Sequence, residues 1–313
     1  MAQRTVAAEA PVARPRAAGL TDSLRRLASR TPIHIALIVL IILWSVPTFA
    51  LLVSSFREPG DIATSGWWNA LTDWNFTTAN YEKVLDQNGM GRAFFNSILI
   101  TVPATALVIL IAAFAAYAFA WMEFPGRNWL FLFFVALLVV PLQMTLIPVL
   151  KLYADTTIET DMPVIGGNLW GTRSYAGIWL AHTAYGLPFA IYLLRNFFGS
   201  LPRDLFESAY LDGASDLRVF FRIVLPLSMP AIAALAIFQF LWTWNDLLVA
   251  LVLLQDTNLG PMTMKITSLV TSFGTQYQLL TAAAFISMAL PLFFFFALQR
   301  YFVQGILAGS VKG

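Results

Sequence analysis

Between residues 200 and 226 the chain reads Ser200-Leu-Pro-Arg-Asp-Leu-Phe-Glu-Ser-Ala-Tyr-Leu-Asp-Gly-Ala-Ser-Asp-Leu-Arg-Val-Phe-Phe-Arg-Ile-Val-Leu-Pro226. Pro202 is suited to open a helix, with Asp204 and Glu207 near the positive end of its dipole. Leu201, Leu205, Phe206, Ala209 and Tyr210 fall on one stripe of that helix, and Arg203, Asp204, Glu207 and Ser208 on the other. Gly213 stops it by taking left-handed backbone, and Ser215 or Asp216 caps a second short helix that Pro226 ends. An interfacial connector lying on anionic lipid would be mostly basic. Here Asp204, Glu207, Asp212 and Asp216 match the nearby arginines in number. Apolar runs over 175–194 and 231–254 flank the segment, so two amphipathic helices join two membrane crossings.

The rest of the chain agrees with that frame. Of 313 residues, 58% are hydrophobic and only 12% charged. A soluble domain carries about 25% charged residues, so a soluble enzyme and a disordered chain are both excluded. Six stretches reach the length of a bilayer crossing: 34–56, 98–121, 129–150, 175–194, 231–254 and 279–298. The expected fold is an all-α integral membrane protein of six transmembrane helices, with Pro103, Pro141, Pro148 and Pro188 as fixed kinks. Thirteen of the nineteen lysines and arginines lie in the N-terminal tail, the second and fourth connections and the C-terminal end. This places both termini in the cytoplasm. Residues 1–33 read as a basic cytoplasmic tail, 34–56 as an uncleaved first span, 57–94 as an aromatic external loop, 95–300 as a five-helix domain and 301–313 as a cytoplasmic tail. No internal repeat is visible.

Several chemistries are missing. Net charge is +2, which makes no case for nucleic acid. The absence of cysteine excludes thiolate metal sites, and His34 and His182 have no metal-ligand spacing, so no metal is expected. No lysine follows glycine, so there is no phosphate-binding loop for ATP, and no nucleophile–base arrangement is visible. Within the spans Asp246, in Trp244-Asn245-Asp246, is the clear ionisable residue. It falls roughly 12 Å inside span five at about 1.5 Å per residue. A carboxylate at that depth costs about 2.5–3.5 kcal/mol, so it faces a wet pathway or a polar partner on another helix. Asn245, Gln143 and Gln239 are candidate pathway groups on the same reasoning, or helix-bridging glue.

Glu207-Ser-Ala209, Gly213 and Ile223-x-Leu225-Pro226, at this spacing, resemble the cytoplasmic signature of ATP-binding-cassette (ABC) importer permease subunits. Ser208 stands where alanine is usual. Ala115-Ala-Tyr-Ala-Phe-Ala-Trp-Met-Glu-Phe-Pro-Gly-Arg127, Pro141-Leu-Gln-Met-Thr-Leu-Ile-Pro148, Trp244-Asn245-Asp246 and Gly305-Ile-Leu-Ala-Gly-Ser-Val-Lys-Gly313 are similar to the carbohydrate-uptake, maltose-type branch. Trp121 departs from it, since arginine is common there. The tail and span six are most similar to α-glucoside permeases. The resemblance implies a type I importer permease fold with cytoplasmic coupling helices, in a bacterial or archaeal cytoplasmic membrane. It implies a second permease subunit, two ATPase subunits that use the ATP, an external sugar-binding protein and lipid as partners, with no cofactor on this chain. Glu207, Ser208, Ala209, Asp212, Gly213, Ile223, Leu225 and Pro226 would couple to the ATPase, and Gly305, Gly309, Lys312 and Gly313 would lie near it. The alternative is an ion-coupled secondary transporter, for which one carboxylate is a thin basis.

Overall fold

The computed structural model describes residues 20–87, 89–155, 158–159, 168–272 and 276–310. The chain divides into two compact units, residues 1–51 and 52–313. Helix α1 (Leu20–Ser55) includes Thr31–Ser55, which is long and apolar enough to cross a bilayer. The helix begins at Leu20, so the tail expected over 1–33 is helical in its second part. Leu24, Arg25, Arg26, Leu27 and Ala28 are strong helix formers, and nothing breaks the run before Pro32.

The second unit holds α2 (Met90–Trp121), α3 (Arg127–Leu137), α4 (Leu142–Asp155), α5 (Tyr175–Phe198), α6 (Arg203–Leu211), α7 (Asp216–Leu227), α8 (Met229–Trp244), α9 (Leu248–Leu253), α10 (Met262–Ser272) and α11 (Tyr277–Ser310). With α1, four helices are long and apolar enough to span, and six spans result if the bent pairs α3–α4 and α7–α8 each count as one. A two-stranded antiparallel ribbon, Ile158–Glu159 with Asn168–Trp170, is the only sheet among the described residues.

Two of the expected spans are broken, one of them at an expected proline kink. The run 129–150 bends by 101° between α3 and α4. Pro141 sits at that break, where it has no N–H to continue the ladder. The run 231–254 is α8, an interruption at 245–247, and α9. Pro226 does not end the second cytoplasmic helix, which runs on to Leu227 before a 74° bend. A π turn over Phe220–Val224 restarts the hydrogen bonding, which returns Pro226 to a first turn that needs no donor. At the other end α11 continues to Ser310, so Gly305 and Gly309 of the tail expected over 301–313 are helical. Lys312 and Gly313 lie outside the described residues.

Small residues set the packing. Ala104, Val108, Ala112 and Ala116, spaced by four on α2, are fully buried and let α5 approach closely through Ala190, Ile191 and Leu194. A second core closes the opposite end, where Phe240 stacks on Phe294 at 4.3 Å and Trp244 meets Phe94 edge-on. The connection ahead of α2 is ordered around buried Arg57, which donates to the carbonyls of Asp61 (3.0 Å) and Gly66 (3.1 Å). α2 therefore starts at Met90, inside the loop expected over 57–94.

Candidate functional site

The helix pair read first in the sequence is present and is clamped on one side. Phe206 of α6 is 2% exposed, and its ring stacks on that of Trp121 at 3.6 Å and 17°. Trp121 in turn donates its indole N–H to the Phe198 carbonyl (3.0 Å), which ties the ends of α2, α5 and α6 together. Tyr210 donates to Asp216 Oδ1 (2.8 Å) and shares a 3.4 Å hydrogen bond with Tyr117 of α2. Burial and these two hydrogen bonds hold the Tyr210 phenol above its ordinary pKa. On α7, Phe220 stacks on Phe114 at 4.7 Å and tilts against Tyr117 at 5.3 Å. Trp121, where the resemblance leads one to expect arginine, is the ring on which α6 rests.

Gly213 has φ +75° and closes α6 as a Schellman motif: Gly213 N–H donates to Tyr210 O and Ala214 N–H to Ala209 O, both at 3.0 Å. Glu207, Ser208, Asp212 and Gly213 are exposed on the open face. Leu211 and Leu217, which the sequence reading passed over, are exposed there too, Leu211 at 89%. Ala209, Ile223 and Leu225 are half-buried against the protein's own core, so they support the pair from behind, and Pro226 is exposed at its far end.

Within the membrane the expected pathway residues separate. Asp246 is not buried inside a continuous helix. It caps α9, with Oδ1 accepting from Val249 N–H (3.2 Å) and Oδ2 from Ala250 N–H (3.0 Å). Its Oδ2 also stands 3.8 Å from Nε2 of buried His182 on α5. The partner on another helix is thus a histidine, the eighth residue of α5, which the sequence reading considered only for metal-ligand spacing although it lies within the span over 175–194. Thr263 of α10 donates to the Asp246 carbonyl (2.6 Å). Asn245 is exposed and donates to Leu241 O (2.8 Å). Gln239 is buried, bonds Thr243 Oγ1 (3.2 Å) and lies over Gly186, where an added Cβ would meet its Oε1 at 2.6 Å. It packs against Gly186 of α5, with its hydrogen bond inside α8. Gln143 is exposed on α4 rather than buried, while its neighbour Thr145 donates to Tyr185 (3.0 Å). No cluster of three metal-ligating acids or histidines occurs among the described residues.

A bundle of bent membrane helices whose cytoplasmic pair is anchored behind and open in front has the build of a membrane transport subunit. Residues 93–308 match the profile of the family described as "Binding-protein-dependent transport system inner membrane component", and the chain belongs to that family. The osmoprotective compounds uptake permease protein GgtD of Synechocystis sp. is 55% identical, over 90% of this chain and 92% of that one. The alpha-glucoside transport system permease protein AglG of Rhizobium meliloti is 40% identical, over 92% and 99%. Among solved structures, a bacterial ABC transporter that imports the acidic polysaccharide alginate shares the fold, with a TM-score of 0.65 at 18% identity over 91% of this chain and 98% of that one. The protein is a multi-pass inner-membrane permease subunit of an ABC importer and not an enzyme.

Proposed function

We propose that this subunit passes a neutral glucoside or short oligosaccharide across the cytoplasmic membrane of a bacterium or archaeon. In this reading the chain pairs with a second permease subunit, two ATPase subunits hydrolyse the ATP, and an external sugar-binding protein delivers the sugar. The 55% and 40% relatives, one for osmoprotective compounds and one for α-glucosides, support this substrate class. The observation that carries the coupling role is the two-sided helix pair: Phe206, Tyr210 and Phe220 lock it to α2, while Glu207, Leu211 and Asp212 face outward. A rigid pair held this way transmits a push from the ATPase into α2 and α5.

The basic-residue bias supports cytoplasmic termini, a first span within 34–56, an external segment near 57–94 and a membrane domain near 95–300. Gln143 is exposed among Val139, Met144 and Ile147, an amide on an apolar face. An unpaired amide facing lipid is costly, so this face meets the second permease subunit or the pathway between the two. Asn245 and Asp246, at the break, line that pathway. The test is ATP-driven uptake of labelled glucosides by the co-purified complex in proteoliposomes. Uptake that follows an ion gradient with ATP held constant would return the ion-coupled reading.

A further inference from the structure

Three helices converge on the interruption in span five. Asp246 accepts from the Val249 and Ala250 amides of α9, through Oδ1 at 3.2 Å and Oδ2 at 3.0 Å. Its own carbonyl accepts from Thr263 of α10 at 2.6 Å. From α5, His182 Nε2 stands 3.8 Å from Oδ2. The histidine side chain is 3% exposed and the carboxylate 11%, so the imidazole is enclosed while an edge of the carboxylate is open. Ala181 of α5 and Val249 and Ala250 of α9 belong to one buried cluster, which fixes the two helices against each other around the pair. At 3.8 Å the groups are beyond a direct hydrogen bond, yet close enough for the imidazole to bias the carboxylate. Both carboxylate oxygens are committed to α9, so what the imidazole steadies is the capped turn rather than a free ligand group. Asn245, the preceding residue, is exposed at that turn.

We infer that His182 is a positioning residue for sugar passage: it holds Asp246 at the break, so that α9 stays capped and Asn245 keeps its place on the pathway. The inference rests on the importer reading above, since that reading supplies the pathway. A carboxylate this deep in a span needs a polar partner, and among the described residues His182 is its only ion-pair partner. The useful group is a nitrogen at the place of Nε2. A glutamine amide reaches that place, an asparagine amide falls short of it, and phenylalanine keeps the ring without the nitrogen.

The test uses the whole transporter in proteoliposomes and measures labelled α-glucoside moved per ATP hydrolysed, titrated against the binding protein that co-purifies with it. His182→Phe and His182→Asn should lower the sugar moved per ATP about fivefold, the effect of losing an N-terminal cap. The half-saturating concentration of binding protein should not move, and His182→Gln should stay close to wild type. In an Asp246→Ala background His182→Phe should add little, because the pair is already broken. A variant that is merely poorly packed loses uptake and ATP hydrolysis in equal proportion, which leaves the ratio unchanged. An unchanged ratio in both His182→Phe and His182→Asn, or equal losses in His182→Asn and His182→Gln, would overturn the positioning role while leaving the importer reading intact. Full additivity of His182→Phe with Asp246→Ala would overturn it too. Failure of the wild-type complex to import any glucoside with ATP would overturn the importer reading and this inference with it.

Discussion

Phe206→Ala isolates the clamp that fixes the cytoplasmic helix pair to the membrane helices. Removing a buried phenylalanine from a core costs about 3–5 kcal/mol. Leu205 and Tyr210 beside it are exposed, so the site can collapse and the lower end applies, about 3 kcal/mol. This value includes the stacking on Trp121, of the order of 1 kcal/mol for such pairs. At a factor of ten per 1.4 kcal/mol, the undocked state of α6 becomes about a hundredfold more populated. Hydrogen exchange on the purified complex reads this directly. Amides 203–211 should exchange about a hundredfold faster in Phe206→Ala, while those over 104–116 in the α2–α5 core stay protected. Uptake should fall as ATP hydrolysis becomes uncoupled, and Phe206→Leu should recover most of both. Unchanged protection over 203–211 in the alanine variant would refute the clamp.

Two further outcomes follow from the membrane region. Asp246→Asn keeps an oxygen that can cap α9, so it should retain part of uptake with unchanged dependence on ATP; Asp246→Ala loses the cap, about 1–2 kcal/mol, and should transport less. Proteoliposome uptake with and without a protonophore checks both, and a protonophore effect at constant ATP would contradict the assignment. For topology, the native absence of cysteine allows single-cysteine labelling: exposed Thr72→Cys should react with an impermeant thiol reagent from outside sealed cells and Ser208→Cys should not.

Hydropathy made the apolar runs legible because each crossing must be apolar over about 20 residues, and the turn at Gly213 was legible from one residue with a single suited backbone region. The extensions of α1 back to Leu20 and of α11 to Ser310 were not, because helix outside the bilayer leaves no apolar signature. The interruption at Asn245 is hidden between two apolar runs, and only the capping bonds of Asp246 reveal it. Pro141 announced its bend, although not its 101° size. His182 and Asp246 are 64 positions apart and meet through tertiary packing that no local pattern encodes. Gln143 was legible as a polar group within a span, but its exposure on α4 was not, because a local pattern does not say which face a neighbouring helix covers.

The central claim is that the open face of the helix pair seats a partner ATPase. Leu211→Glu and Gly213→Val test it from two sides. Leu211 is 89% exposed, so a charge there leaves the chain's own packing alone. Valine at Gly213, where φ is +75°, strains the turn by about 1–2 kcal/mol. Co-purification of each variant from membranes should recover the inserted chain with the second permease subunit, deplete the ATPase and abolish sugar uptake. Normal ATPase retention with normal uptake in both variants would contradict the account.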